Sequence, residues 1–428
     1  MSRHQKTCLS VLCLLFCFLA SKVELLAQLS PGQYLEESPL GSWNNFGADS
    51  AASVGAGGRQ IVLFDSGQAL LSNPALLSRL PHLTFDFSFK FQQTRLFKFW
   101  MVNTGVLSTR GNLNCPTAGL SYGGFSGKIK GWTLALSIAQ TENYGRPKIE
   151  PSFSSGGVLY EQMFLSQTGR QEVYALGLAR PLGRRLSFGL TLAVINGYLR
   201  RNFEDRSWLG QVIITDLRDQ KITGVYLVFG AFYQLNNKLA VGISLIPPYI
   251  RKFQGTSLSR FYSETSQAKV EIPDTANDRV RMPLTAGLGF LYQISRSLNL
   301  SVEAIYFGWK NYSFNYFGEP LERNFKNTLR FSSGLSYKST FRFLGKQWEA
   351  PYYAGIMVDP QPMTDVRSNY YYLTFGSGMG NADFLLTFST AIGLEKGSGN
   401  NLANQKVCLS LQLRPTLMRK LFGRSRQT

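Results

Sequence analysis

Histidine and cysteine are scarce in this 428-residue chain, which carries two of the first and five of the second. Nucleophilic Ser–His chemistry needs a histidine within reach of the serine. His4 lies in an apolar leader described below, so the mature chain keeps His82 alone, beside Pro81. A barrel lipase and a histidine metal site are thereby set aside, and no cysteine pair has metal-ligand spacing. The chain is expected to be no enzyme and to hold no cofactor or metal.

Long apolar runs are also missing. Beyond the leader no window approaches 18 consecutive apolar residues, so no transmembrane helix is expected. Charged residues make up only 17%, and acidic ones are outnumbered, 26 against 45 basic. A basic balance can signal nucleic acid, but here Lys and Arg are scattered over turns and strand ends ("RPLGRR", "YLRRNF", "YIRKF", "LMRKLFGRSR") and no nucleic-acid motif organises them. They read instead as contacts with anionic lipid headgroups and lipopolysaccharide, or as attraction for anionic ligands. What is abundant is Gly (41), Phe (31) and Tyr (20), which suits strands and turns better than helix interiors.

The first 27 residues read as an export signal. Arg3 and Lys6 precede "CLSVLCLLFCFLA", and Ala27 stands just before a cut ahead of Gln28. A single membrane anchor is the alternative, but 13 apolar residues are too few to span comfortably. Cys8, Cys13 and Cys17 leave with the signal. Cys115 and Cys408 remain, too few for a disulfide framework, and read as two unpaired small apolar residues. Losing Arg3, Lys6, Lys22 and Glu24 lowers the net charge from +19 to about +17.

Along the mature chain the recurrent signal is alternation with period two. In "LTFDFSFKF" Leu83, Phe85, Phe87, Phe89 and Phe91 oppose Thr84, Asp86, Ser88 and Lys90; "RLSFGLTLAV", "SLNLSVEAIY" and "KVCLSLQLR" repeat the pattern. A soluble sandwich alternates too. Segments of about 9 to 11 residues, with Gly, Ser, Thr and charges on the second face, instead fit tilted strands crossing a bilayer around a polar lumen. Aromatic clusters at 97–100, 306–309 and 370–372 are expected as interfacial girdles. About fourteen segments centre near residues 87, 118, 136, 176, 190, 227, 244, 288, 302, 332, 355, 373, 388 and 410. An even number closes the sheet and leaves no edge in lipid. Tight turns at 235–238, 295–297 and 378–382 alternate with polar stretches at 145–170, 203–220, 255–280 and 311–325, expected as long loops on the opposite side. The fold class is thus all-β: a transmembrane antiparallel barrel over 81–418, followed by a basic tail at 419–428. Residues 28–80, Gly-, Ala- and Ser-rich without sustained alternation, are something other than wall.

These segments resemble the FadL/TodX family of outer-membrane channels for long-chain fatty acids and hydrocarbons. The likeness is carried, in family order from Ala48 to Pro415, by "SNPALLSRLPHLTFDFSF", "CPTAGLSY" with "GWTLALSIAQTENYG", "LGRRLSFGLTLAVING", "YQLNNKLAVGISLIPPYIRKFQG", "MPLTAGLGFLYQISRSLNLSVEAIYFGWKNY", "FKNTLRFSSGLSY" and "YYAGIMVDPQPMTD". It implies 14 strands with residues 28–80 folded into the lumen as a hatch, and the turn Asn73, Pro74 and Ala75 where hatch meets wall. It also implies an inward kink in the third strand that opens the wall toward lipid. "ENYGRPK" supplies Gly145 and Pro147 there; Gly permits a bend and Pro removes a ladder donor, though the same residues suit a strand simply ending in a loop. The family's basic inner site is matched in position by Lys326 and approached by Arg200 and Arg201, which also fit headgroup or loop charges.

The region around 145–220 aligns poorly with the family, and the chain runs on past Phe422 as "GRSRQT" where family members commonly end on an aromatic assembly signal. The resemblance implies passive uptake of hydrophobic small molecules by a monomer in the bacterial outer membrane, placed there by the barrel assembly machinery. The alternative is a carrier or scaffold barrel of a type IX-like secretion system, which shares the Gly-rich start and the Asn-Pro-Ala turn.

Overall fold

A computed structural model describes residues 46–62, 66–80, 83–95, 107–110, 115–144, 146–155, 158–207, 211–275, 277–316, 319–320, 325–362, 364, 368–397 and 403–414. The expected signal segment 1–27, residues 28–45, His82 and residues 419–428 lie outside the described residues, as does the 97–100 aromatic cluster.

Fourteen strands form the wall: β1 Leu83–Arg95, β2 Cys115–Ile129, β3 in two parts (Trp132–Asn143 and Arg146–Ser155), β4 Val158–Leu182, β5 Leu186–Ser207, β6 Val212–Gln234, β7 in two parts (Leu239–Ile246 and Tyr249–Ser263), β8 in two parts (Asn277–Met282 and Thr285–Gln293), β9 Leu298–Phe307, β10 Thr328–Phe343, β11 Lys346–Pro360, β12 Asn369–Gly380, β13 Phe384–Lys396 and β14 Ala403–Leu413. Each pairs antiparallel with its sequence neighbours, and β14 returns to β1 through Leu411↔Phe87 and Leu409↔Phe89. The ring is closed, so the sheet has no continuous open edge in lipid. All fourteen expected segment centres fall in separate strands.

The alternation is turned inside out relative to a soluble core. On β1, Phe87, Phe89 and Phe91 are exposed, Phe89 by 53%, while Thr84, Asp86, Ser88 and Lys90 are buried toward the lumen. On β5, Phe188, Leu190, Leu192 and Val194 face out and Ser187 and Thr191 face in. The same exposed apolar belt runs on through β6, β8 and β12. An outer surface of Phe, Leu, Val and Ile over a polar lumen is stable only with hydrocarbon outside. Among the described residues no helix is long and apolar enough to cross a membrane; the strands do so.

One end of the barrel carries short turns. Lys130–Gly131 and Leu344–Gly345 have positive φ at both positions, the tight two-residue hairpin whose twist matches the flanking strands and whose second site favours Gly. At the other end the expectation of long loops is corrected. Much of 145–170, 203–220 and 255–280 is strand: β4 has 25 residues and β5 has 22, running well past the apolar belt. Polar residues occupy both faces there, so the period of two persists while its hydrophobic signal disappears. The aromatic clusters are corrected as well. Tyr306 and Tyr371 face outward, but Phe307, Trp309, Tyr370 and Tyr372 are buried on the lumen side.

Among the described residues the wall is interrupted in three places. Pro247–Pro248 divides β7 and Pro283–Leu284 divides β8 at the same height, where proline offers no ladder donor. The third interruption divides β3 after Tyr144. There β2 pairs with β3 only from Tyr122↔Ala139 to Ile129↔Trp132. Residues 115–120 of β2 pair with β1 alone, and the second part of β3 takes the short strand Leu107–Arg110 instead.

Candidate functional site

Residues 46–62 and 66–80 lie inside the ring of strands and are almost wholly buried. A five-residue helix, α1 (Ala51–Gly55), is capped by Ser50, whose side chain accepts from the Ser53 N–H. Two 3₁₀ turns, Gly67–Leu71 and Pro74–Arg79, follow. Asn73 caps the second: its Oδ1 accepts from the Ala75 N–H at 3.3 Å, and Pro74 takes the first helical position, where a missing N–H costs nothing. The Asn73 Nδ2 donates to the carbonyls of Ile61 (2.8 Å) and Ala231 on β6 (3.1 Å), so one amide ties two parts of the segment to the wall.

This stretch reaches the wall by two devices. The first is buried polar contact. Glu303 on β9 accepts three consecutive backbone N–H groups, from Gln60 (2.8 Å), Ile61 (2.8 Å) and Val62 (3.0 Å). Asp49 accepts from Lys406 on β14 at 2.9 Å, with Lys90 on β1 at 3.7 Å. The Gly67 N–H donates to Asp86 at 2.9 Å, the Thr191 hydroxyl to the Leu70 carbonyl at 2.7 Å, and the Ser244 hydroxyl to the Ser72 carbonyl.

The second device is absence of side chain. Gly189 and Gly230 face each other across β5 and β6, and a Cβ on either would collide with Pro74 and Ala75. Gly242 and Gly289 pair across β7 and β8 against Ile61 and Val62; Gly334 and Gly355 pair across β10 and β11 against Ala56 and Gly57. There the segment's backbone rests directly on the wall's.

A different region begins at Phe46. A cavity of about 30 Å³ lies between Phe46, Tyr226, Tyr249, Phe307 and Trp309, with Thr141, Glu142 and Gln171 on one side and Ile246, Met282, Pro283 and Thr285 on the other. That is room for a water or two. Its lining includes the interrupted ends of β7 and β8 and the last turn of β3 before its break. Tyr226 stacks on Tyr249 with centroids 4.8 Å apart, and Phe307 stacks on Trp309 at 5.9 Å. Behind this aromatic wall the buried Arg251 Nη1 lies within hydrogen-bond reach of both oxygens of Glu142 (2.9 Å each), the Tyr144 hydroxyl (3.0 Å) and the Gln171 side-chain oxygen (2.9 Å). The charge is thus balanced inside the protein, as a buried cation demands.

The residues singled out in the sequence fall in four places. Asn73, Pro74 and Ala75 form the joint with β5 and β6 described above. Gly145 lies outside the described residues. Pro147 stands in the second part of β3, where the register to β4 slips between Arg146↔Gln167 and Ile149↔Leu165. Arg200 and Arg201, adjacent in β5, point to opposite faces. Arg201 is buried on the lumen side in register with Arg218, whereas Arg200 is exposed and ion-paired with Asp219 at 3.0 Å. Lys326 is half-buried just before β10, its N–H bonded to the Pro362 carbonyl. Cys408 is a free, buried thiol. Arg251 and Glu142 went unmarked among the sequence candidates; the available signal was their inward phase beside the breaks at Pro247–Pro248 and Tyr144.

The arrangement is that of a transmembrane barrel whose lumen is filled by its own N-terminal chain, with an aromatic cavity beside an interrupted wall strand. The structure is similar to a FadL homologue of Pseudomonas aeruginosa (12% identity, TM-score 0.62, covering 86% of this chain and 99% of that one). It is similar also to the toluene transporters TbuX of Ralstonia pickettii (16%, 0.61, 86% and 99%) and TodX of P. putida (14%, 0.59, 86% and 99%). At these identities the likeness is one of fold. No protein-family model matches the sequence. No curated protein matches it.

Proposed function

We propose that this chain is a bacterial outer-membrane channel of the FadL/TodX kind for passive uptake of hydrophobic compounds. The carrying observation is the aromatic cavity, lined by Phe46 and by the strand that ends at the wall's interruption. A solute caught at the long-strand end passes Lys326 and Arg201, the latter set in the upper lumen. It then displaces Phe46 and enters the cavity. The exit is sideways between β2 and β3, where inter-strand pairing stops at Tyr122↔Ala139 and Gly145 and Pro147 favour a kink. Residues 46–80 act as a hatch, seated through Asn73, Pro74 and Ala75, whose part next to the cavity shifts while the remainder stays. Arg200 keeps to the outer face as a headgroup contact.

The cavity offers tyrosine and tryptophan faces, and the arginine behind them is already neutralised by Glu142. This supports a neutral solute over a fatty-acid carboxylate, in keeping with toluene transport by two of the structural neighbours. Whole-cell uptake of radiolabelled toluene and oleate, compared between wild type, Gly145→Val and Pro74→Ala, tests the reading. Toluene uptake lowered in both variants is expected, with little oleate uptake in any. Unchanged toluene uptake in both variants rules this route out.

A further inference from the structure

On the membrane-facing side, near the short-turn end, an apolar groove of about 800 Å³ crosses β4 to β7, within the size range of small-ligand sites. Two cross-strand rows define it. Leu178, Leu190, Phe229 and Leu245 form the row nearer the membrane centre; Arg180, Phe188, Ala231 and Ile243 form the row nearer the turns. Ala231 is the small member between two large neighbours, and the floor of the groove is the dent it leaves. Arg180 projects outward at the other end of that row, and its guanidinium carbon lies 5.0 Å from the ring centroid of Trp132. Two strand spacings, roughly 10 Å, separate it from the dent.

Among the described residues Arg180 makes no ion pair, although it sits at the edge of a belt that meets hydrocarbon. A cation there needs an anion or access to headgroups. The hairpins below the groove make the charge one-sided: 128–132, 180–186 and 234–239 carry Lys128, Lys130, Arg180, Arg184, Arg185 and Lys238 and no acidic residue. We infer that this groove binds an anionic phospholipid of the leaflet facing the short turns, one acyl chain lying in the dent at Ala231 and the phosphate held by Arg180. The tryptophan face fixes the guanidinium at headgroup depth, where a fork of N–H donors matches phosphate oxygens. Lipopolysaccharide, whose leaflet lies at the opposite end, is not the occupant. The inference rests on the membrane-spanning fold and not on what the channel carries.

The test is native mass spectrometry of protein released from nanodiscs of phosphatidylcholine containing a minority of phosphatidylglycerol. Heat-modifiable gel migration would confirm that each variant is a folded barrel. Wild type is expected to retain phosphatidylglycerol selectively. Arg180→Ala should lower retention roughly fivefold, the effect of one basic side chain at a charged surface. Ala231→Phe, which fills the dent and leaves every charge in place, should lower it comparably. The inference is overturned if both folded variants keep wild-type retention, if phosphatidylcholine or lipopolysaccharide is retained as well as phosphatidylglycerol, or if an acidic peptide binds wild type and no phospholipid does.

Discussion

The N-terminal segment meets the wall in two ways, and the contrast separates holding from yielding. From Ala56 to Val62 and over residues 66–80 it rests on glycine pairs and buried hydrogen bonds, with backbone against backbone. At Phe46 and Gly47 it borders aromatic rings, a small void and three interrupted strands. Interiors packed to crystal density transmit strain and resist displacement. A region with broken ladders and few backbone contacts opens at lower free energy. On the proposed function, the segment is a hatch anchored at one end and releasable at the other.

The two largest effects should come from the charge pair beside the cavity and from the three-bond anchor at Glu303. Arg251→Leu leaves Glu142 buried without its cation and should cost about 3–5 kcal/mol; the double variant Arg251→Met/Glu142→Gln should recover most of this, both read by thermal unfolding in detergent. At the anchor, Glu303→Ala deprives three buried N–H groups of their acceptor, about 1–3 kcal/mol for each one left unsatisfied. Its signature is faster amide exchange at Gln60, Ile61 and Val62, with β9 itself unaffected. Gly189→Ala should cost about 1–3 kcal/mol by overpacking against Pro74 and Ala75 and should raise leakage of small polar solutes in a liposome-swelling assay. If Gly189→Ala left both stability and leakage unchanged, the seat would not be tight and the comparison would fail.

The smallest effect lies outside the membrane, on the long extensions of β4 and β5. Burial holds the Glu161 carboxyl above its ordinary range, with the neighbouring Asp205 adding to it, and burial raises Asp205 as well. A carboxyl raised in the folded state binds more protons folded than unfolded, so its stabilisation is present at low pH and is lost as pH rises through the folded pKa. Amide exchange in this hairpin should thus quicken as pH climbs from about 4 into the raised range, after correction for intrinsic exchange. Glu161→Gln should flatten the dependence.

Much of the wall was legible in the sequence because one face of each strand must be apolar over the bilayer. Phe87, Phe89 and Phe91 against Asp86 and Lys90 fixed both strand and orientation. Legibility stopped where that demand stops. Beyond the belt, Arg200, Asn202 and Glu204 face outward and Arg201 inward, so both faces are polar and strand looks like loop. The cavity was hidden for a related reason. In "YIRKF" a phase of one residue decides that Arg251 is buried in the lumen and Lys252 is exposed outside. Composition treats the two alike; only the position of the Pro247–Pro248 break settles the phase. Phe307 and Trp309 likewise carry the composition of an interfacial girdle and the placement of a cavity wall.

The proposed route requires the start of the described hatch, from Phe46 to Ala51, to leave the wall for solute to pass. In a Cys408→Ser background, Ala51→Cys with Ser410→Cys would place a disulfide where the Ala51 N–H now donates to the Ser410 hydroxyl at 2.7 Å. Uptake of radiolabelled toluene by cells carrying this variant, oxidised and then reduced, is the direct measurement. Uptake at background when oxidised and restored on reduction is the expected result; equal uptake in both states would contradict the account.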